Sequence, residues 1–263
     1  LAMTGRRGPS WIDIPVNYQG CYIETDELRG YDPSEAINEN PAPVEESVIA
    51  EVIGKIKDAK RPVLYAGNGI RLSEGYGAFR KAIEKLGVPV VTCWDSIDAI
   101  EDENPLYVGR GGIMGDRAGN FAVQNADLVL AVGNRLSIRQ VGYSWKTWAR
   151  EAYVIMVDVD PAELKKTTLH VELPVCADAK DFFVQMNEQL VDEDVPVFSG
   201  TEWIGKCQEW KKNYPVTQPK HWEEDGKYAN VYAFIKYLSQ NLPQGNMTVV
   251  SNGSACVVGS HNY

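Results

Sequence analysis

Between about residues 44 and 190, short apolar runs alternate with stretches whose apolar residues recur every three or four positions. The first such stretch puts Val44, Val48, Ile49, Val52, Ile53 and Ile56 on one stripe. Glu45 and Glu46 stand at its start and Lys55, Lys57 and Lys60 near its end, charges that complement a helix dipole. The runs Pro62–Ala66, Val88–Thr92, Leu128–Val132, Tyr153–Val157 and Glu172–Val175 have the composition of strands, and several are apolar at successive positions, as strands covered on both faces must be. Pro89 cannot donate to a ladder and belongs at the very start of its strand. Helices are expected between the strands, one from Ser73 as N-cap to Gly87 and others over 115–125, 161–167 and 178–190. This alternation predicts an α/β fold, a doubly wound parallel sheet of about six strands of the Rossmann general type.

The composition changes on either side of that unit. Residues 21–43 are polar and proline-bearing and read as a linker, with Asn38 and Asn40 near its end. Residues 191–228 set Pro196, Pro215 and Pro219 among charges and the tryptophans Trp203, Trp210 and Trp222, and read as a second linker that packs on a surface. In 229–263 an amphipathic helix (Val231, Phe234, Ile235, Leu238) precedes an expected strand, Met247–Val250, and a small-residue turn, Ser251–Ala255, which is how a further α/β domain begins.

Charge and cysteine usage narrow the partners. A formal net charge of −10 over 263 residues repels phosphate backbones and anionic lipid surfaces, so nucleic acid is not expected as a partner. No apolar run approaches the about 18 residues of a membrane-spanning helix, and no membrane partner is expected. The five scattered cysteines, an odd number with no CxxC pair, point to a reducing cytoplasm. His170, His221 and His261 lie far apart, without metal-ligand spacing, so no metal is expected on this chain alone.

Four glycine-rich or acidic turns stand out along the unit. Gly67-Asn68-Gly69 lets the backbone approach a phosphate, or else forms a tight turn with no ligand, since the full GxGxxG spacing is absent. Gly109–Arg117 brings glycine amides together with Arg110 and Arg117, either for an anion or as a flexible loop. Gly133-Asn134-Arg135 sets Arg135, and Arg139 beyond it, at the edge where doubly wound folds bind ligands. Asp158 and Asp160 offer carboxylates to ribose hydroxyls, although Asp160 before Pro161 is equally a helix N-cap. Together these turns outline a nucleotide-shaped crevice. No GxSxG and no cysteine–histidine pair supplies a nucleophile with its base, and Cys93 reads as a small buried hydrophobe. Tyr143, Trp145 and Trp148 read as a core or interface cluster.

Five segments in order resemble thiamine-diphosphate-dependent enzymes of the acetolactate-synthase type. Gly5–Val16 resembles the "GRPGPVWIDIPVDVQ" stretch that ends their pyrimidine-binding domain. Tyr65–Gly69 is similar to the first turn of their central domain, Gly109–Arg117 to its "GMxGMHG" loop, Gly133–Arg139 to its "GxRxxxR" loop and Asp158–Glu163 to its "DIDPAE" turn. The resemblance implies that residues 1–20 end a pyrimidine domain, 44–190 form the central domain and 229–263 open a pyrophosphate domain. It implies thiamine diphosphate and magnesium in the full-length parent, with the activating glutamate before Leu1 and the magnesium motif after Tyr263. Gly253, Ser254 and Ala255 fall where the family touches the diphosphate, as Gly-Ser-Ala for its Gly-Gln-His. For the central crevice it implies FAD or ADP, held by Gly67, Gly69, Gly133, Arg135, Asp158 and Asp160; Asp116 is taken as the counterpart of the loop histidine. Missing catalytic domains of the same polypeptide, and a homo-oligomer, are the partners expected. Two rivals stand beside this reading: a stand-alone adenine-nucleotide-binding regulatory module, and a structural domain whose crevice is empty.

Overall fold

A computed structural model describes residues 2–3, 8–32, 34, 41–191, 195–223, 228–243 and 245–263. Gly5, Arg6 and Arg7 of the first motif, and Asn38 and Asn40 of the first linker, lie outside them. The chain forms two units, Leu1–Ala42 and Pro43–Tyr263. In the first, the four-residue helix α1 (Val16–Gln19) follows Pro15, and Gln19 Nε2 donates to Ile14 O at 2.8 Å. Its apolar residues find no core, and Trp11 is 92% exposed.

The second unit begins with α2 (Glu46–Asp58), which buries Ile49, Val52, Ile53 and Ile56 as the stripe requires. It leads into β1 (Pro62–Ala66), whose five residues are all buried. A short α3 (Gly69–Leu72) precedes α4 (Tyr76–Leu86). The expected N-cap Ser73 instead closes α3, its Oγ donating to Ile70 O at 3.0 Å, and α4 starts after Gly75. Gly75 is needed there because a Cβ would lie 2.9 Å from Lys180 Cα. Gly87 ends α4 in the left-handed conformation, φ 66°, as expected.

Then come β2 (Val90–Thr92), β3 (Tyr107–Arg110), α5 (Arg117–Asn125), β4 (Leu128–Val132), α6 (Ile138–Val141), β5 (Tyr153–Asp158), α7 (Pro161–Leu164), β6 (Leu173–Cys176) and α8 (Ala179–Gln189). All six strands are parallel in the order β3-β2-β1-β4-β5-β6, the doubly wound arrangement. β1 and β4 are buried at every residue, so helices cover both faces: α2 and α4 pack on α8, while α5 packs on α9 (Thr201–Asn213). Phe79, Phe182 and Phe183 meet edge to face at 5.4–5.5 Å in the first layer. Pro174 lies within β6, opposite Met156.

The stretch 191–228 is therefore not only connector. Trp203, 6% exposed, donates from its indole N–H to Pro62 O at 3.0 Å and stacks edge-on against Trp210 at 5.7 Å, joining α9 to the foot of β1. Gln208 Nε2 and Lys211 Nζ both donate to Tyr107 O, at 3.0 and 3.2 Å. Of the expected aromatic cluster only Trp148 enters the core; Tyr143 is exposed. Beyond lie α10 (Val231–Asn241) and α11 (Ser254–Asn262). The strand expected at Met247–Val250 is not formed: it finds no ladder partner among the described residues, and Met247 and Val249 are nearly fully exposed. No helix among the described residues is long and apolar enough to cross a membrane.

Candidate functional site

The strand order reverses between β1 and β4, and ligands of doubly wound folds bind at the carboxyl ends of the strands beside such a reversal. There the turn after β1 meets the turn after β4. Gly67 N donates to Val132 O at 2.9 Å and Gly69 N to Gly133 O at 2.8 Å. A Cβ on Gly67 would overlap Gly133 O and Asn134 Cα, and one on Gly69 would sit 2.7 Å from Gly133 Cα. Gly133 itself has φ 61°. These glycines are explained by backbone packed on backbone, and two of their amides are already spent on the partner turn. Gly67→Ala is therefore expected to cost about 1–3 kcal/mol of stability with no ligand present, as overpacking does. An unchanged urea midpoint would refute that account.

Asn134, a residue the sequence did not single out, ties the same turns together: its Nδ2 donates to Tyr65 O at 3.0 Å and its Oδ1 accepts from Leu136 N at 3.0 Å. Arg135 and Leu136 then both take left-handed φ, 58° and 43°. Neither is a glycine, and a lysine stabilises the bend. Lys166 Nζ donates to the carbonyls of Arg135 and, at 3.2 Å, Leu136, and reaches Glu163 at 3.1 Å. Arg135 also pairs with Glu163, its Nε donating at 2.9 Å. Burial alone would raise the Glu163 pKa, but hydrogen bonds from Arg135 and Lys166 outweigh it and hold the carboxyl below its usual value. Lys166 was legible in sequence only as the i+3 neighbour of Glu163.

The aspartates sit at the end of β5 and just beyond. Asp158 is buried, and its Oδ1 accepts from Asp160 N at 3.0 Å; Asp160 caps α7, its Oδ1 accepting from Ala162 N at 2.8 Å. The N-cap role of Asp160 is thus present. Arg135, Asp158, Asp160 and Glu163 form one charged cluster at the carboxyl ends of β4 and β5, in which the glutamate and the two aspartates all help to raise the Arg135 pKa. Arg139 leaves this cluster and stacks over the Trp94 ring, 5.6 Å from its centre.

The loop after β3 is pinned and not flexible. Asn120 accepts from Gly112 N at 2.9 Å and donates to Gly112 O at 3.0 Å, and Ile113 N donates to Arg139 O at 2.8 Å. Its two guanidinium groups part: Arg117 lies over Tyr214, while Arg110 is buried 3.5 Å from Asp116. Asp116 serves the backbone on either side of the loop. Its carboxylate caps α5, one oxygen accepting from Gly119 N at 2.8 Å and the other from Arg110 N at 2.9 Å. Laid on Gly109, Gly112 and Gly115, the "GMxGMHG" pattern puts its histidine at Met114 and not at Asp116. Cys93 is fully buried, and burial pushes its thiol pKa well up, which makes it inert.

Residues 49–186, just over half of the chain, match the family model described as "Thiamine pyrophosphate enzyme, central domain". The chain belongs to the thiamine pyrophosphate enzymes. It is similar to the acetolactate synthase large subunit of Corynebacterium glutamicum, 30% identical over 82% of this chain and 34% of that protein. It also resembles the mitochondrial acetolactate synthase catalytic subunit of Saccharomyces cerevisiae, 28% identical over 99% of the chain and 39% of the relative. The acetolactate synthase of Mycobacterium leprae is 31% identical over 90% of the chain and 37% of the relative. The chain thus spans between a third and two-fifths of the curated relatives it matches.

Membership implies thiamine diphosphate and usually magnesium. Gly253 (φ 82°) and Ser254 lie at the exposed amino end of α11, and Gly253 N donates to Asn252 Oδ1 at 2.8 Å. Among the described residues no group of three or more His, Cys, Asp or Glu side chains stands ready for a metal ion.

Proposed function

We propose that this chain is the scaffold-forming central domain, with flanking segments, of a cytoplasmic thiamine-diphosphate-dependent 2-oxo acid decarboxylase or carboligase of the acetolactate-synthase type, and that it does no chemistry alone. The match of residues 49–186 to the family's central domain carries the reading. In the whole enzyme the cofactor supplies the electron sink for a carbanion, and this domain supplies rigidity and position. The partners this reading calls for are the catalytic domains of the same polypeptide and further copies of the chain. Supplied with thiamine diphosphate, magnesium and pyruvate, the chain is expected to release no carbon dioxide. Turnover would overturn the reading.

The charged cluster of Arg135, Asp158 and Asp160 favours a second role, an adenine nucleotide, FAD or ADP, bound over the turns of Gly67, Gly69 and Gly133. Arg135 is more than half exposed, so its pair with Glu163 contributes little to stability and its guanidinium can turn to a phosphate. A thermal-shift series with FAD, ADP and NAD should show stabilisation by one of the first two, lost in Arg135→Ala. No shift with any of them would favour a crevice that serves packing alone.

A further inference from the structure

A second place in the fold has the makings of a ligand site. Between β3, the start of α5, the segment after α9 and the end of α11 lies a cavity of about 170 Å³, close to the roughly 150 Å³ that accommodates a benzene-sized guest. Its wall carries Arg110, Lys211, Lys236 and His261, against Asp102 and Asp116.

Two of these groups are under-used. Arg110 has a side chain only 7% exposed, yet its Nε–H has no hydrogen-bond partner among the described residues. Its other donors are met only at long range, Nη1 lying 3.5 Å from an Asp116 oxygen and Nη2 donating to Tyr263 O at 3.5 Å. His261 lies with Nε2 2.9 Å from Gly115 O. A carbonyl can only accept, so Nε2 carries the proton, and the buried Nδ1 is left without a partner. Lys211 adds a second cation whose hydrogen bonds go to neutral carbonyls, those of Asp102 and Tyr107, and not to a carboxylate.

A buried guanidinium with an unmet donor is unfavourable unless something accepts from it. An ammonium on the same wall makes the acceptor negative. The flat fork of Arg110 selects an anion with oxygens set apart, in preference to a spherical halide. We propose that this cavity binds one compact oxyanion, of phosphate or short-chain carboxylate type, between Arg110 and Lys211. The chain's net charge of −10 works against diffuse anion binding, so an anion held here is held by the site.

Isothermal titration of the full chain with inorganic phosphate and, separately, with acetate tests this, with sodium chloride balancing the ionic strength. One saturable site for either is the expected result, and which of the two binds identifies the source class. Lys211→Met, half-buried and at a position a helix tolerates, should weaken it by about tenfold or more, the loss of one charge-assisted contact. Arg110→Gln should abolish it in protein shown folded by circular dichroism. Absence of saturable binding by both anions, binding unchanged in Lys211→Met, or equal binding of chloride would each overturn the proposal.

Discussion

Asp116→Ala is expected to cost the second unit about 3–5 kcal/mol, because it leaves the Arg110 guanidinium buried without a counter-charge. The same change uncaps α5, which by itself is worth about 0.5–2 kcal/mol, and strips the acceptors from two backbone amides. Burial raises the Asp116 pKa, and the two amides and Arg110 oppose that rise without cancelling it. Chemical denaturation of the single variants and of Arg110→Leu/Asp116→Ala would resolve the coupling. The double variant should lose less than the sum of the singles, since no orphaned charge remains. Simple additivity, or a loss below about 1 kcal/mol for Asp116→Ala, would show that the pair is not coupled.

Trp203→Ala should be of similar size, about 3–5 kcal/mol, the cost of removing a buried indole. Its ring closes the contact between α9 and the foot of β1, and its N–H donates to the carbonyl of Pro62. Trp203→Phe separates the two contributions: it keeps most of the packing and should cost about 1 kcal/mol for the hydrogen bond. A urea midpoint unmoved by Trp203→Ala would mean that α9 is a detachable connector after all.

That helix also shows where sequence reading stopped. β1, β4 and β5 were plain because five consecutive apolar residues admit no other placement in an α/β sheet covered on both faces. α9 was hidden by its charges, although Trp203, Cys207 and Trp210 stand at i, i+4 and i+7 and form a narrow apolar stripe. β3 escaped for the opposite reason: Tyr107–Arg110 is four residues long, half of them glycine and arginine, and its pairing to β2 shifts register at Val90/Val91. Met247–Val250 has a strand's composition and no neighbour to make it one. At the crevice, the glycine positions were legible but not their cause. That Gly67 and Gly133 are glycines because two turns touch is a fact of tertiary packing, invisible to spacing alone. The Arg110–Asp116 pair and the cavity beside it join residues that the chain brings together only by folding.

The two outer strands of the sheet are closed to newcomers by different means. On β3 the Tyr107 carbonyl is saturated by Gln208 and Lys211 from α9. On β6 Pro174 interrupts the row of amide donors that an incoming strand would need. A sheet finished in this way is a poor template for an extra strand, which disfavours amyloid-like stacking and strand exchange at both ends. Whatever this domain joins in a larger assembly, it must join through its helices and loops.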